Sequence, residues 1–201
     1  MNLPNKLSLL RVFLVPWVMV FYLCNFGLGI WRYVIAAVIY MAAGFTDFLD
    51  GNIARKYGLV TNLGKFLDPL ADKFMVMTSL LCLCYMSAIN ANPFSKNDKA
   101  YGALLVVASA IVIFRELAIT SMRLVAASTD GSVIAAAYLG KLKTVTQMVF
   151  TSFAIIEPAF FSLGSVFRNH IISYVLMALM TIMTLWSGID YIKSYWKYIK
   201  E

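Results

Sequence analysis

The 201-residue chain is 61% apolar and only 13% charged, about half the charged share of roughly 25% that is usual in soluble domains. A soluble protein of this size could not bury so much apolar surface, so the composition excludes a soluble globular domain and predicts an integral membrane protein. The net charge is +7, but the basic residues form no run interleaved with aromatic residues on a soluble module. This argues against nucleic-acid binding.

Six apolar segments follow one another along the chain, and each is predicted to be a transmembrane helix. The first includes Val12 to Trp31, which are 20 residues without a charge, and a span needs about 20. No clear cleavage site follows it, so it is predicted to be retained rather than removed as a signal. The fold class is predicted to be an all-α integral membrane protein with six transmembrane helices, forming a single domain over residues 1–201. The segments cover residues 10–28, 31–50, 68–90, 101–125, 138–162 and 170–192.

Lysine and arginine are distributed unevenly between the two sides of these spans, which predicts the orientation. With a cytoplasmic N-terminus, 13 basic residues fall on the cytoplasmic side and four on the other. Both termini are therefore predicted to face the cytoplasm, where the basic belt also contacts anionic lipid. The four on the other side are Arg32, Lys96, Lys99 and Arg168.

Four of the ten acidic residues fall within 26 positions, at the edges of apolar runs. Asp47 and Asp50 are three residues apart, and Asp68 and Asp72 are four apart, so each pair shares a helix face. Two adjacent antiparallel helices could present all four carboxylates to one point, where their mutual repulsion requires positive charge. Ligation by oxygen alone suits Mg²⁺, Mn²⁺ or Ca²⁺, and a two-metal clamp is a recurrent device of phosphoryl chemistry.

The residues that follow Asp50 fit a nucleotide. Gly51 and Ala54 are small enough for a nucleotide to approach the backbone closely, and Arg55 can pair with a pyrophosphate. Gly64 lies one turn before Asp68, where a neighbouring helix or a ligand needs the missing side chain. Two alternatives are a purely structural cluster of salt-bridged aspartates and an ion or proton pathway, although a pathway would place carboxylates nearer the middle of a span.

Two aromatic features are predicted to lie at the membrane interface. His170 follows Arg168 and Asn169 on the predicted outer side, where it is expected to be an interfacial residue without a catalytic role. The C-terminal cluster of Tyr191, Tyr195, Trp196 and Tyr198 with lysines is expected to form an interfacial belt.

The stretch from Asp47 to Asp72 matches residue for residue the pattern D-x2-D-G-x2-A-R-x8-G-x3-D-x3-D. This pattern is the signature of the CDP-alcohol phosphatidyltransferases, also called CDP-alcohol phosphotransferases, and the chain resembles that family over nearly its whole length. The segment from Pro4 to Arg11 is similar to the family's N-terminal segment, with Ser8 where threonine is common. Other segments resemble the bacterial branch whose acceptor is glycerol 3-phosphate: Phe114–Leu117 with Arg123, Gly140–Gln147 and Ser187–Tyr191.

The resemblance implies a six-helix protein of the cell membrane, usually a homodimer, with a polar cavity open to the cytoplasm. It implies that CDP-diacylglycerol gives its phosphatidyl group to an alcohol and releases CMP, with two Mg²⁺ or Mn²⁺ ions as cofactors. Carried over, Asp47, Asp50 and Asp68 would hold one ion. Asp47, Asp68 and Asp72 would hold the other, and Asp72 would also act as the base. The CDP part is expected to contact Asn5, Ser8, Asp50, Gly51, Ala54, Arg55 and Thr61.

The acceptor of that branch, glycerol 3-phosphate, is a dianion and needs cationic partners. Four basic residues at the cytoplasmic ends of the fourth and fifth spans are predicted to bind its phosphate, or else to serve topology alone. Alternatives to this function are a sister transferase that uses inositol phosphate, serine or phosphatidylglycerol, and a non-enzymatic channel or scaffold. The four basic residues are Arg115, Arg123, Lys141 and Lys143.

Overall fold

The computed structural model describes residues 2–57, 61–90, 96–129 and 138–199, apart from the side chains at 3–4, 47–57, 62, 65, 96, 127–129, 138 and 197–199. This part of the chain consists of helices and their connections, without a strand. A 3₁₀ turn (Glu157–Phe160) and a short helix, α6 (Ser165–Arg168), lie between the last two long helices. The long helices are α1 (Leu3–Leu23), α2 (Trp31–Tyr57), α3 (Asn62–Asn90), α4 (Lys96–Thr129), α5 (Tyr138–Ile156) and α7 (Ile171–Ile199).

The ends of α1 follow from its sequence. Pro4 stands in its first turn, where the N–H that proline lacks would have no intrahelical partner. After Leu23 the chain turns through Gly27 and Gly29, whose φ angles are 76° and 55°. Glycine adopts this left-handed region without steric cost, so the break predicted between the first two apolar segments is confirmed.

Four helices are long and apolar enough to cross a membrane, counted over the described residues. They are the segments Asn5–Leu23, Phe66–Asn90, Asn97–Ala126 and Ile171–Trp196. The apolar part of α2 that the structure describes, Trp31–Thr46, is shorter, and α5 has 19 residues and carries two lysines near its start. The predicted all-helical membrane class is confirmed at this level, and crossing by all six helices remains a prediction.

The polar connection between α2 and α3 is shorter than the sequence indicated. Residues 51–67 read as a break because polar and charged residues interrupt the apolar sequence there, yet α2 continues to Tyr57 and α3 begins at Asn62. The hydrogen bonds of a helix are made by its own backbone, so a helix continues beyond its apolar stretch. Both aspartate pairs are therefore on regular helices.

The first half of the bundle is built around α1, which packs against both α2 and α3. On α2 the buried positions include Ala36, Ala37 and Ala43, which are at most 1% exposed. Such small residues let helix backbones approach closely, which is how helices associate where lipid supplies no hydrophobic drive. Because α1 packs against both helices, its first turns lie beside the start of α3.

The second half of the bundle is built around α7, which packs against α4 and α5. Inside it, Gln147 Nε2 lies 3.4 Å from Thr184 Oγ1, and both side chains are fully buried. A polar link of this kind joins two helices in an apolar environment. Contacts of α5 with α2 and of α3 with α4 join the halves. The start of α3, the end of α4 and the start of α5 thus meet at one end of the bundle.

Candidate active site

A cavity of about 350 Å³ opens at that end of the bundle. Its walls are the first turns of α3 and α5 and the later turns of α4 and α7. Five basic and three acidic side chains line it, so its described walls carry net positive charge. These charged residues are Asp68, Asp72, Lys73, Arg115, Glu116, Arg123, Lys141 and Lys143.

The acidic wall comes from α3, where Asp68 and Asp72 are one turn apart and both line the cavity. The hydroxyl of Ser8, which is fully buried on α1, donates a hydrogen bond to Asp68 Oδ1. A carboxylate that accepts such a bond is held in one orientation. The structure thus joins two predicted site residues, Ser8 and Asp68, across the α1–α3 interface.

The other half of the aspartate signature lies on α2. The backbone there is helical through Tyr57, which places Asp47 and Asp50 one turn apart near the end of the helix. Their side chains lie outside the described part of the chain, as do those of Gly51, Ala54 and Arg55. The prediction that all four carboxylates converge therefore stays a prediction.

A second junction between α1 and α3 involves Asn5, Thr61 and Gly64. Thr61 precedes the first residue of α3, and its Oγ1 accepts a 3.0 Å hydrogen bond from the Gly64 N–H. This is the geometry of a helix N-cap. The same hydroxyl donates to Asn5 Oδ1 over 3.0 Å, and Asn5 is buried. Two residues predicted to contact CDP, Asn5 and Thr61, therefore lie together at the start of α3.

Gly64 has no space for a side chain. A Cβ there would lie 2.8 Å from Asn5 Oδ1 and 3.3 Å from Thr61 Oγ1, and moving Asn5 away would break its hydrogen bond with Thr61. We expect Gly64→Ala to lower the free energy of unfolding by about 1–2 kcal/mol, because the clash outweighs the helix propensity that alanine adds. Thermal unfolding in detergent measures this. Gly164→Ala is the matched control, because a Cβ at Gly164 meets open space, and equal stability of the two variants would contradict the clash.

The basic wall is organised by a carboxylate, Glu116 on α4. Its Oε1 accepts a hydrogen bond from Lys143 Nζ of α5 and lies 3.1 Å from Arg115 Nη1. The side chains of Glu116, Lys143 and Arg115 are only 8%, 5% and 11% exposed. Charges buried to this extent are stable only when they are paired, so Glu116 is what allows two cations to stand side by side in this wall.

Both arginines of the basic wall, Arg115 and Arg123, contact the ring of Tyr191 on α7. The guanidinium carbons of Arg115 and Arg123 lie 5.5 Å and 5.0 Å from its centroid, within the range of cation–π attraction. Arg123 also donates to the Tyr191 hydroxyl, and Arg115 donates to Ser187 Oγ over 2.9 Å. Tyr191 and Tyr195 are at most 3% exposed. The prediction that both belong to an interfacial belt was therefore wrong.

The four basic residues predicted to bind the acceptor all line this one cavity, although they differ in exposure. Arg115 and Lys143 are held inside by Glu116, whereas Arg123 and Lys141 are exposed. The charges of the inner pair are already matched by the Glu116 carboxylate, whereas Arg123 contacts the neutral Tyr191 and remains exposed. The outer pair is therefore the better placed of the two to bind an incoming anion.

Three residues at this end of the bundle lie in segments that resemble the family, but sequence reasoning gave them no role at the site. Arg11, which was assigned to the basic belt, is fully buried on α1, and its spacing of three from Ser8 could have indicated the shared face. Tyr191 is four residues from Ser187, which is again one helix face. Glu116 lies beside Arg115 in the Phe114–Leu117 segment, but its contact with Lys143 could not be read from the sequence, because Lys143 is 27 residues away in the chain.

The described residues suit hard divalent cations in chemistry, although they do not complete a site. Asp68 and Asp72 supply carboxylate oxygens, the ligands that Mg²⁺ and Mn²⁺ prefer. Within the described side chains no group of three His, Cys, Asp or Glu residues is close enough to hold an ion. Asp47 and Asp50 of α2, the other two predicted ligands, have side chains outside the described part of the chain.

A half-buried acidic pair on α3 and a cluster of cations on α4 and α5 line one cavity of this membrane protein, which suits it to anionic substrates. A family model described as CDP-alcohol phosphatidyltransferase matches residues 1–186. The chain belongs to the CDP-alcohol phosphatidyltransferase family.

Relatives within this family match the chain from end to end. A protein of Bacillus subtilis (strain 168) named CDP-diacylglycerol–glycerol-3-phosphate 3-phosphatidyltransferase is 35% identical, over 99% of this chain and 97% of its own length. Proteins with the same name from Yersinia enterocolitica serotype O:8 / biotype 1B and Salmonella choleraesuis (strain SC-B67) are 30% and 28% identical. Their alignments cover 100% and 96% of this chain and 98% and 94% of those proteins.

Proposed function

We propose that this chain transfers the phosphatidyl group of CDP-diacylglycerol to glycerol 3-phosphate, giving phosphatidylglycerol phosphate and CMP. The observation that carries the proposal is one cavity that Asp68 and Asp72 share with basic side chains of α4 and α5. An acidic wall suits a metal-bound pyrophosphate, and a basic wall suits an anionic acceptor. The names of the full-length relatives add support, because they state this reaction.

The donor belongs at the junction of α1, α2 and α3. We assign its CDP part to the start of α3, where Asn5, Ser8 and Thr61 lie. The N-terminus of a helix favours negative charge, because its N–H groups and dipole point outward. Asp50, Gly51, Ala54 and Arg55 complete this half of the proposed site from α2, as their match to the family signature suggests.

The metal requirement follows from the aspartates. Asp47, Asp50, Asp68 and Asp72 would hold two Mg²⁺ or Mn²⁺ ions, which neutralise the pyrophosphate and the leaving CMP when bound. Ser8 supports this role for Asp68, because its hydrogen bond orients the carboxylate. Removal of divalent ions by a chelator should abolish CMP release, and Mg²⁺ or Mn²⁺ should restore it.

The transfer itself needs a base and no protein nucleophile. The acceptor hydroxyl oxygen bonds to the phosphorus of the phosphatidyl group, and the bond from that phosphorus to the CMP oxygen breaks. Asp72 takes the hydroxyl proton, and CMP leaves with the bonding electron pair. A positioned base of this kind typically contributes a factor of about 10² to 10⁴.

The acceptor phosphate is assigned to Arg123 and Lys141, with Arg115 and Lys143 behind them. We expect Arg123→Glu to raise the KM for glycerol 3-phosphate by about tenfold or more, because a charge-assisted hydrogen bond is replaced by repulsion. Initial rates of CMP release at varied acceptor concentration measure it. Lys99→Glu is the control, since Lys99 is exposed in the first turn of the same helix. An unchanged KM in the Arg123 variant would reduce this residue to a topological role.

The position in the membrane is part of the proposal. We place six spans, as a single domain over residues 1–201, in the cell membrane, with both termini and the active-site cavity on the cytoplasmic side. The support is the excess of lysine and arginine on that side. A homodimer is proposed from the family resemblance, and cross-linking in intact membranes tests it.

One assay separates this function from the alternatives. Purified protein in detergent is given CDP-diacylglycerol, Mg²⁺ or Mn²⁺ and one acceptor at a time, and CMP release is measured. Release only with glycerol 3-phosphate supports the proposal. Release with inositol phosphate, serine or phosphatidylglycerol instead would make the chain a sister transferase, and no release with any acceptor would contradict an enzymatic function.

A further inference from the structure

A second cavity, of about 480 Å³, lies at the opposite end of the bundle from Asp68 and Asp72. Its wall includes Ser87 and Asn90 from the last turn of α3 and Tyr101 from the beginning of α4. Asp72 and Asn90 are 18 residues apart on α3, which corresponds to about 27 Å at 1.5 Å per residue. The cavity is therefore separate from the proposed active site, and the transfer reaction does not use it.

A buried carboxylate, Glu157 of the 3₁₀ turn, lines this second cavity. Its Oε2 lies 2.8 Å from His170 Nδ1, and its side chain is only 2% exposed. The other oxygen, Oε1, is buried and accepts no hydrogen bond from any residue that the structure describes. A buried carboxylate oxygen in this state is expected to have a hydrogen-bond donor when the site is filled.

His170 is held in place by its neighbours, and its side chain is only 13% exposed. Its ring stacks on Tyr101, with centroids 4.2 Å apart and planes 5° apart, and Phe161 contacts it edge-on. Its φ of 56° is unusual for a residue with a side chain. The contacts with Glu157 and Tyr101 fix the ring as one wall of the cavity.

Tyrosine rings form another part of the cavity wall, beside aliphatic side chains such as Leu83 and Leu105. Tyr22, Tyr33 and Tyr101 all line the cavity, and the rings of Tyr22 and Tyr33 meet edge to face, 5.8 Å apart. One face of Tyr33 already carries a cation, because the guanidinium carbon of Arg32 lies 4.5 Å from its centroid. Aromatic walls beside a carboxylate are the usual surroundings of an organic ammonium ion.

The charges that line the cavity also favour a cation. Glu157 and Asp98 are acidic, Arg168 is basic, and His170 carries charge only when it is protonated. We propose that this cavity binds a primary ammonium group, whose N–H donors reach Glu157 Oε1 while the tyrosine rings surround its carbon chain. An ammonium group brings three donors and a compensating charge, which a neutral ligand cannot.

The test compares two small molecules of equal length, ethanolamine and 1,2-ethanediol, which differ in an ammonium against a hydroxyl group. Binding to the purified full-length chain is measured by calorimetry in an amine-free detergent. We expect ethanolamine to bind at least about tenfold more tightly, as a charge-assisted hydrogen bond requires. Glu157→Gln, which keeps the shape and removes the charge, should lose that advantage, and Asp72→Asn at the other end should keep it.

Two bilayer compositions identify the source of the ammonium group. In nanodiscs that contain an ethanolamine-headgroup phospholipid, weaker binding of free ethanolamine than in purely anionic nanodiscs would assign the site to the lipid headgroup. Equal binding in both would assign it to a free amine, and either result supports recognition of ammonium. Equal affinity for ethanolamine and 1,2-ethanediol would overturn the proposal, as would undiminished binding of ethanolamine to Glu157→Gln. Either result would mean that the cavity holds water and does not recognise an ammonium group. Because binding is measured without turnover, the result is independent of the transferase assay.

Discussion

Replacement of Asp72 by asparagine is expected to reduce the kcat of CMP release by about a thousandfold, within the range that a positioned base contributes. The amide cannot take the proton from the acceptor hydroxyl, although it has nearly the same shape as the carboxylate. Binding of CDP-diacylglycerol should change much less, because the other three aspartates would still hold metal. Steady-state CMP release and a direct binding measurement with the donor test the two halves of this expectation.

The control is the neighbouring carboxylate. Asp68→Asn also removes one charge, but at the residue that Ser8 orients and that is predicted to contact both ions. We expect this variant to weaken metal binding and donor binding together. Added Mn²⁺ should therefore restore part of the activity of Asp68→Asn, whereas it should restore no activity to Asp72→Asn. Near-normal turnover in the Asp72 variant would rule out its assignment as the base.

Loss of the Glu116 carboxylate should produce the largest fall in stability. In Glu116→Met the ammonium of Lys143, which is only 5% exposed, stays buried without its partner. Breaking a buried ion pair in this way costs about 3–5 kcal/mol. We expect a loss of this size in the free energy of unfolding, measured in mixed micelles, together with a raised KM for glycerol 3-phosphate, because Arg115 also loses its contact.

A double variant separates stability from function at this pair. Replacing both partners of a buried ion pair by apolar residues is often neutral, so Glu116→Met combined with Lys143→Met should regain most of the stability. The raised KM should persist, because a cation of the basic wall is missing. If Glu116→Met alone were as stable as the parent protein, Glu116 would not be what allows Lys143 to be buried.

The parts of the site that could be predicted are those encoded by spacing within one helix. Asp68 and Asp72 are four residues apart and do line one cavity, and Arg115 and Arg123 are eight apart and share a tyrosine ring. The need for glycine at position 64 was also expected, and the structure gives its reason in Asn5 and Thr61.

The parts that could not be predicted depend on contacts between distant segments. Glu116 stood next to Arg115 in the sequence, yet its contact with Lys143 depends on how α4 and α5 pack. Tyr191 looked interfacial because its neighbours are lysine and aromatic residues, and only the packing of α7 against α4 reveals that it is buried. The helix ends were misjudged for a different reason. Hydropathy identifies the residues that suit the apolar core of the membrane, whereas the backbone hydrogen bonds of a helix continue beyond those residues.

The donor and the acceptor are assigned to different helices, and this separation bears on how the substrate preference of this enzyme could diversify. The described residues that are proposed to contact the donor lie at or before Asp72, on α1 and α3, whereas the cations proposed to bind the acceptor lie on α4 and α5. If these assignments hold, a recombination event between residues 90 and 96 would exchange the half proposed to recognise the acceptor and leave the half proposed to recognise the nucleotide intact. Chimeras of two relatives joined there should inherit acceptor preference from the C-terminal parent, so new lipid headgroups could arise by shuffling gene halves.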